Sequence, residues 1–282
     1  MQQQAYRCED DGWEIVHAYP GGDLEGYVVR YTGYRESRPQ LVKWREPATA
    51  VVPFIINLGP AFRIGLGNDA DGHRDYRSFV AGLNDDFASV EAADATCCIQ
   101  MDLTPLGAHR LLHLPMSELA SRVVTLSDVI GADVDDLAGR LYDARDWRSR
   151  FVLLDGFARR RLANGRPPTA AVAWAWRQLV ASRGRVRIDR LTETLGCSRK
   201  HLSQRFAVEV GKPPKTVARI LRFEHACALM RHGANRDWTG IAFDCGYADQ
   251  AHIIREFRSL AGLTPVELAR FDTGEGGVRE LG

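Results

Sequence analysis

One motif occurs twice in this chain, about 50 residues apart, and it limits the fold more than any bulk property does. Residues 188–206 read IDRLTETLGCSRKHLSQRF, and residues 238–257 read WTGIAFDCGYADQAHIIREF. In the first copy Ile188, Leu191, Thr192 and Leu195 recur at helical spacing, which predicts a short helix with one apolar face. Gly196 follows where a left-handed residue ends a helix, and Ser198 stands where a side-chain oxygen caps the next one. That second helix would bury Leu202 and Phe206. The second copy repeats this order: Ile241 and Ala242 inward, Gly246 at the turn, Asp249 as cap, Ile253 and Phe257 as the buried pair. A single helix–turn–helix match of this length arises by chance, and an internal repeat is far stronger evidence.

Between the copies, PPKTVARILRFEHACALMRHG carries Val217, Ile220, Leu221, Ala226, Leu229 and Met230 at helical spacing. This predicts one connector helix over about 214–231, flanked by a first unit at about 188–209 and a second at about 238–258. B-DNA returns the same major-groove face about every 10.5 base pairs, or roughly 34 Å. Two recognition helices braced by one rod can therefore read two successive groove segments without a second chain. The whole chain is nearly neutral at +1, but residues 169–271 hold 17 Lys and Arg against 9 Asp and Glu. Residues 1–168 hold 19 against 24. A basic region of this size favours a polyanion partner only together with the motifs.

With 202/206 and 253/257 buried, the other faces of the second helices are open to DNA. Lys200, Ser203 and Gln204 would face the groove from the first unit, and Gln250, Ala251, Ile254 and Arg255 from the second. Gln204 or Gln250 suits adenine, Arg255 or Lys200 suits guanine, and Ile254 suits a thymine methyl. Arg199, His201, Arg205 and His252 fit phosphate or structural roles, and the caps Ser198 and Asp249 belong to the same surface.

The segment from about 186 to 270 resembles the AraC/XylS family of bacterial transcription regulators. The matching pieces are RLTETLGCSRKHLSQRF, GKPPKTVARILRFEHACALM, IAFDCGYADQAHIIREF and GLTPVELARF. The resemblance implies two helix-turn-helix subdomains that bind duplex DNA near promoters, with RNA polymerase as a protein partner and transcription regulation, by activation or repression, as the expected output. It also implies a variable N-terminal domain that senses a small-molecule effector or forms a homodimer. Two positions depart from the family pattern: Thr192 replaces the usual alanine, and Ala251 replaces the usual serine.

The rest of the chain predicts an α+β protein. Strand candidates are Trp13–His17, Leu24–Tyr34, Val51–Leu58, Phe62–Leu66, Tyr76–Leu83 and Cys97–Leu103, separated by Gly, Pro, Asn and Asp clusters. They point to a cupin-like β-barrel or sandwich over 12–103, and Tyr27, Tyr31, Tyr34, Trp44, Phe54 and Phe79 would line either a ligand cavity or an ordinary core. Trailing helices are expected within 104–164, beginning at Thr104 followed by Pro105. NGRPP at 164–168 separates a sensor or dimerisation domain (1–165) from a DNA-binding domain (169–271), and 272–282 reads as a flexible tail.

Other classes find less support. The six cysteines form no C-x-x-C pair, and the i, i+4 pair His109 and His113 lacks a third metal ligand. No P-loop, G-x-S-x-G or dinucleotide fingerprint occurs, so no cofactor, metal or catalytic residue is expected. A cupin-like enzyme with an accessory helical domain is the competing reading. No run reaches the roughly 18 apolar residues of a membrane span, and MQQQAYRCEDDGW lacks a signal-like apolar stretch, so a cytoplasmic location is expected.

Overall fold

The computed structural model describes residues 2–8, 12–36, 41–67, 72–92, 95–232, 238–271 and 278–279. The N-terminal region holds two antiparallel sheets. Strands β1 (Gln2–Cys8), β2 (Trp13–Tyr19), β3 (Val28–Glu36), β4 (Val42–Glu46), β5 (Val52–Asn57) and β6 (Phe62–Leu66) are followed by β7 (Arg74–Tyr76) and β8 (Phe79–Ala81). Then come β9 (Ala88–Ala92), β10 (Cys97–Leu103), β11 (Val123–Thr125) and β12 (Val278–Arg279). The first sheet runs β1-β2-β3-β10-β5-β8-β11 and the second β12-β4-β9-β6-β7. Of the expected barrel or sandwich, the barrel is not formed: the described strands leave both sheets open.

A helix takes over one face of the first sheet. Helix α1 (Pro105–Leu112) starts at Thr104, whose hydroxyl accepts from Gly107 N at 3.0 Å. Helices α2 (Leu126–Ile130) and α3 (Asp133–Asp143) lead to α4 (Trp147–Asn164), capped by Asp146 on Ser149 N at 2.7 Å. Phe151 of α4 stacks on Tyr31 with ring centroids 6.1 Å apart, and Phe157 lies 5.9 Å from Phe54. Trp147 lies so close to β3 that a Cβ on Gly33 would stand 2.3 Å from its ring, so only glycine fits there. The opposite face meets the second sheet through Phe62, Phe79, Tyr34 and Trp44. The six aromatics read from sequence are thus divided between two packing layers, while Tyr27 takes the Arg110 guanidinium over its ring at 5.1 Å.

Two strand expectations change on inspection. Tyr76–Leu83 splits because the chain crosses between sheets: β7 ends on the second and β8 begins on the first. The segment from Leu24 starts as a 3-10 turn, Gly22–Leu24, and becomes strand at Val28. The expected tail falls mostly outside the described residues, with Val278 and Arg279 pairing with Arg45 and Trp44 of β4.

The C-terminal region is helical: α5 (Ala170–Ala181), α6 (Ile188–Leu195), α7 (Arg199–Glu209), α8 (Pro214–His232), α9 (Trp238–Asp244), α10 (Gln250–Ala261) and α11 (Pro265–Phe271). Buried side chains of both regions join one hydrophobic cluster. Polar contacts reinforce the junction. Glu224 of α8 accepts from Ala50 N at 2.8 Å and Thr49 Oγ1 at 2.7 Å, and Ala48 N donates to Leu260 O at 2.7 Å. Lys212, just after α7, pairs with Asp85 and donates to Ser121 Oγ at 2.7 Å.

Candidate nucleic-acid interface

The first unit is built as its sequence requires. Leu191 and Thr192 are buried, and the Thr192 hydroxyl donates to Asp189 O at 2.9 Å, so the extra oxygen costs no unpaired polar group. Gly196 sits in the left-handed region at φ 60, ψ 34, with its N–H on Glu193 O at 3.2 Å. Ser198 Oγ then accepts from His201 N at 3.1 Å and starts α7. Leu202 and Phe206 are buried, and on the remaining faces Arg199, Lys200, His201, Gln204 and Arg205 are exposed, with Ser203 half-buried. Arg199 pairs with Asp189 of α6, which holds its guanidinium near its own unit.

The second unit follows the same construction. Gly246 has φ 75, and Asp249 Oδ1 accepts from His252 N at 2.7 Å to start α10. Ile241, Ala242, Ile253 and Phe257 are buried, while Gln250, Ala251 and Arg255 are exposed and Ile254 is half-buried. The His252 ring stands edge-on to Tyr247 at 5.3 Å, and its Nδ1 lies 3.4 Å from Ala248 N. That placement favours the structural side of the two roles read for His252. Phe243 of α9 is exposed, which its position off the 241/242/245 face foreshadows.

Helix α8 fixes the second unit directly. Phe223 meets Phe257 edge-on at 4.8 Å, and Arg219 Nε contacts both Glu256 carboxylate oxygens at 3.0 and 3.2 Å. The first unit is tied through Glu209, which accepts from Thr169 N at 2.7 Å and Thr169 Oγ1 at 2.9 Å at the start of α5. The closing helix α11 has a capping box: Thr264 N donates to Glu267 Oε2 at 2.7 Å, and Glu267 N to Thr264 Oγ1 at 3.3 Å. This exchange holds the Glu267 carboxyl below its ordinary range.

Gly196 lies in open space, so Gly196→Ala tests backbone conformation alone. The substitution should cost about 1–2 kcal/mol through left-handed strain. Urea unfolding checks it, and an unchanged midpoint would contradict the turn.

His109 and His113 do not converge: each ring nitrogen faces a different backbone carbonyl, Leu114 O and Arg161 O, at 3.0 Å. Among the described residues, no group of three or more His, Cys, Asp or Glu could hold a metal, and no helix is long and apolar enough to cross a membrane.

Residues 191–270 match a family model described as a helix-turn-helix domain. No curated protein sequence matches the chain significantly. Among solved structures, the chain is similar to ToxT from Vibrio cholerae at 14% identity, covering 85% of this chain and 97% of that one, with a TM-score of 0.47. An unsaturated-fatty-acid-bound wild-type ToxT from Vibrio cholerae strain SCE256 is similar at 13% identity, covering 89% and 97%, with a TM-score of 0.48. A probable AraC family transcriptional regulator from Rhodopseudomonas palustris CGA009 is similar at 28% identity, covering 36% and 96%, with a TM-score of 0.33. Given two capped units joined by one long helix and the family match over the same span, residues 191–270 are a helix-turn-helix domain.

Proposed function

We propose that this chain is a sequence-specific transcription regulator that places α7 and α10 in two successive major-groove segments of duplex DNA. One observation carries the reading: each second helix is capped, buries one apolar face and keeps a polar face open, and α8 clamps α10 to the brace. In this reading Gln204 and Gln250 suit adenine, Lys200 and Arg255 suit guanine, and Ile254 covers a thymine methyl. Ser198, Arg199, His201, Ser203, Asp249, Ala251 and His252 complete the surface as caps, backbone contacts and spacers. The N-terminal region is the regulatory part, acting as a sensor of a small effector or as a homodimer contact. RNA polymerase is the protein partner and the cytoplasm the site of action.

A footprint on a selected binding site should protect two major-groove segments about one helical turn apart, roughly 34 Å. A single protected segment overturns the reading. Arg255→Ala should cost about 1–3 kcal/mol of site affinity and relax preference at one base pair. Competition binding against single-base site variants measures this. Equal weakening on random duplex would assign Arg255 to a phosphate instead.

A further inference from the structure

A cationic cleft lies apart from both recognition helices. It has a volume of about 540 Å³ and is lined by Ala181, Ser182, Arg183, Arg185, Val186 and His225. The loop between α5 and α6 that forms its rim is pinned from several sides. Gly184 N donates to Leu179 O at 2.8 Å, and Val186 N to Ser182 Oγ at 3.1 Å. Arg222 Nη1 of α8 donates to Gly184 O at 3.1 Å. Gly184 has φ +75, and a Cβ there would stand 2.2 Å from Ala218 O, so the loop sits directly on α8.

This fixed loop holds Arg183 and Arg185 exposed at the cleft. Arg183 Nη1 lies 3.1 Å from His225 Nε2, and the Arg185 stem borders the second unit's turn, 3.8 Å from the Cβ position of Gly246. Behind them, Arg222 stands 5.9 Å over the Tyr247 ring. Arg222 Nε and the Tyr247 hydroxyl are both buried without a hydrogen-bond partner. The Cys245 thiol, pushed up to about 11 by burial, is within electrostatic reach of Arg183, Arg185 and Arg222 and of one carboxylate, Asp244. Among the described residues, the guanidiniums of Arg183, Arg185 and Arg222 outnumber the carboxylates of Asp244, which acts on Cys245, and Glu256, which acts on Tyr247, and the positive excess on a rigid frame favours an oxyanion.

We propose that the cleft formed by Arg183, Arg185, His225 and the α5–α6 loop is a phosphate-binding site. Its lining comes from the first unit's entry loop and the connector, and the Arg185 stem reaches toward the second unit's turn. A phosphate held there is one of the DNA backbone between the two groove segments, or that of a free small molecule. The DNA source rests on the reading under Proposed function, whereas the free-phosphate arm below does not.

The test uses the full chain and the double variant Arg183→Gln, Arg185→Gln, whose side chains are exposed, so the fold should survive. Thermal melting is followed as inorganic phosphate replaces chloride at constant ionic strength. Duplex affinity is followed against salt. Phosphate should raise the wild-type midpoint and leave that of the variant unmoved. Each lost backbone contact should also make the salt slope of the variant shallower by about 0.9. Both changes together support a DNA phosphate. Loss of the phosphate effect with an unchanged salt slope supports the site with a free small anion as occupant. A slope change alone supports a seat filled only by polymeric phosphate. If neither readout distinguishes variant from wild type, the proposal is overturned, and a normal wild-type footprint would show that the groove reading stands without it.

Discussion

Truncating Phe257 to alanine is expected to cost about 3–5 kcal/mol, as removal of a fully buried phenylalanine ring does. Phe257 is completely buried in α10. It meets Phe223 of α8 edge-on at 4.8 Å and Trp238 of α9 at 6.4 Å, so one ring joins both helices of the second unit to the connector. An edge-to-face aromatic pair adds about 0.5–1.5 kcal/mol beyond area burial, and that part is lost as well. The consequence for function is greater than the stability figure. A loosened α10 no longer holds Gln250, Ile254 and Arg255 at a fixed distance from α7, so site affinity should fall further than Arg255→Ala alone would lower it. Urea unfolding followed by tryptophan fluorescence, with duplex binding in parallel, checks both parts. A loss under about 1 kcal/mol would mean that the brace does not depend on this ring.

The C-terminal region was legible because its rules are local. Gly196, Ser198, Gly246, Asp249 and Thr264 each act within four residues of their own position, and each does what its residue type predicts. Strands Phe62–Leu66 and Cys97–Leu103 begin and end where their apolar periods and punctuation place them, and Pro105–Leu112 begins at its Thr104 cap. Val180 is exposed, because α5 packs through Val172, Ala175, Trp176 and Leu179. Strands β1, β4, β9, β11 and β12 escaped the reading. VKWRE in β4 alternates Val42 and Trp44 with Lys43 and Arg45, but the run is only five residues long and none of them is fully buried. The open sheets escaped it too, since nothing in β3 or β5 says that α4 will cover them. Least legible was what joins distant segments: Arg183 with His225, Lys212 with Asp85, and Glu224 with Thr49. Each needs the tertiary fold before its partner exists.

Glu224 provides the second large effect. Its carboxylate is half-buried at the junction and accepts from Ala50 N and Thr49 Oγ1. Glu224→Ala strands the buried Ala50 N–H, and a buried donor left without its acceptor costs about 1–3 kcal/mol, so a loss of roughly 2–3 kcal/mol is expected. Glu224→Gln keeps an oxygen for Ala50 N and should stay within about 1 kcal/mol of wild type. The two variants also separate in pH dependence. Burial raises the Glu224 carboxyl above its ordinary value of 4.5 despite both hydrogen bonds. The folded chain therefore holds this proton to higher pH than the unfolded chain does. Its contribution to stability is complete below the unfolded value and is lost as pH rises through the raised folded value. Urea unfolding at about pH 4 and about pH 8 should show this loss in wild type and its absence in Glu224→Gln. A Glu224→Gln variant that kept the full wild-type slope would place the titration elsewhere. A Glu224→Ala variant as stable as wild type would show that the junction is held by its apolar contacts, with the carboxylate a bystander.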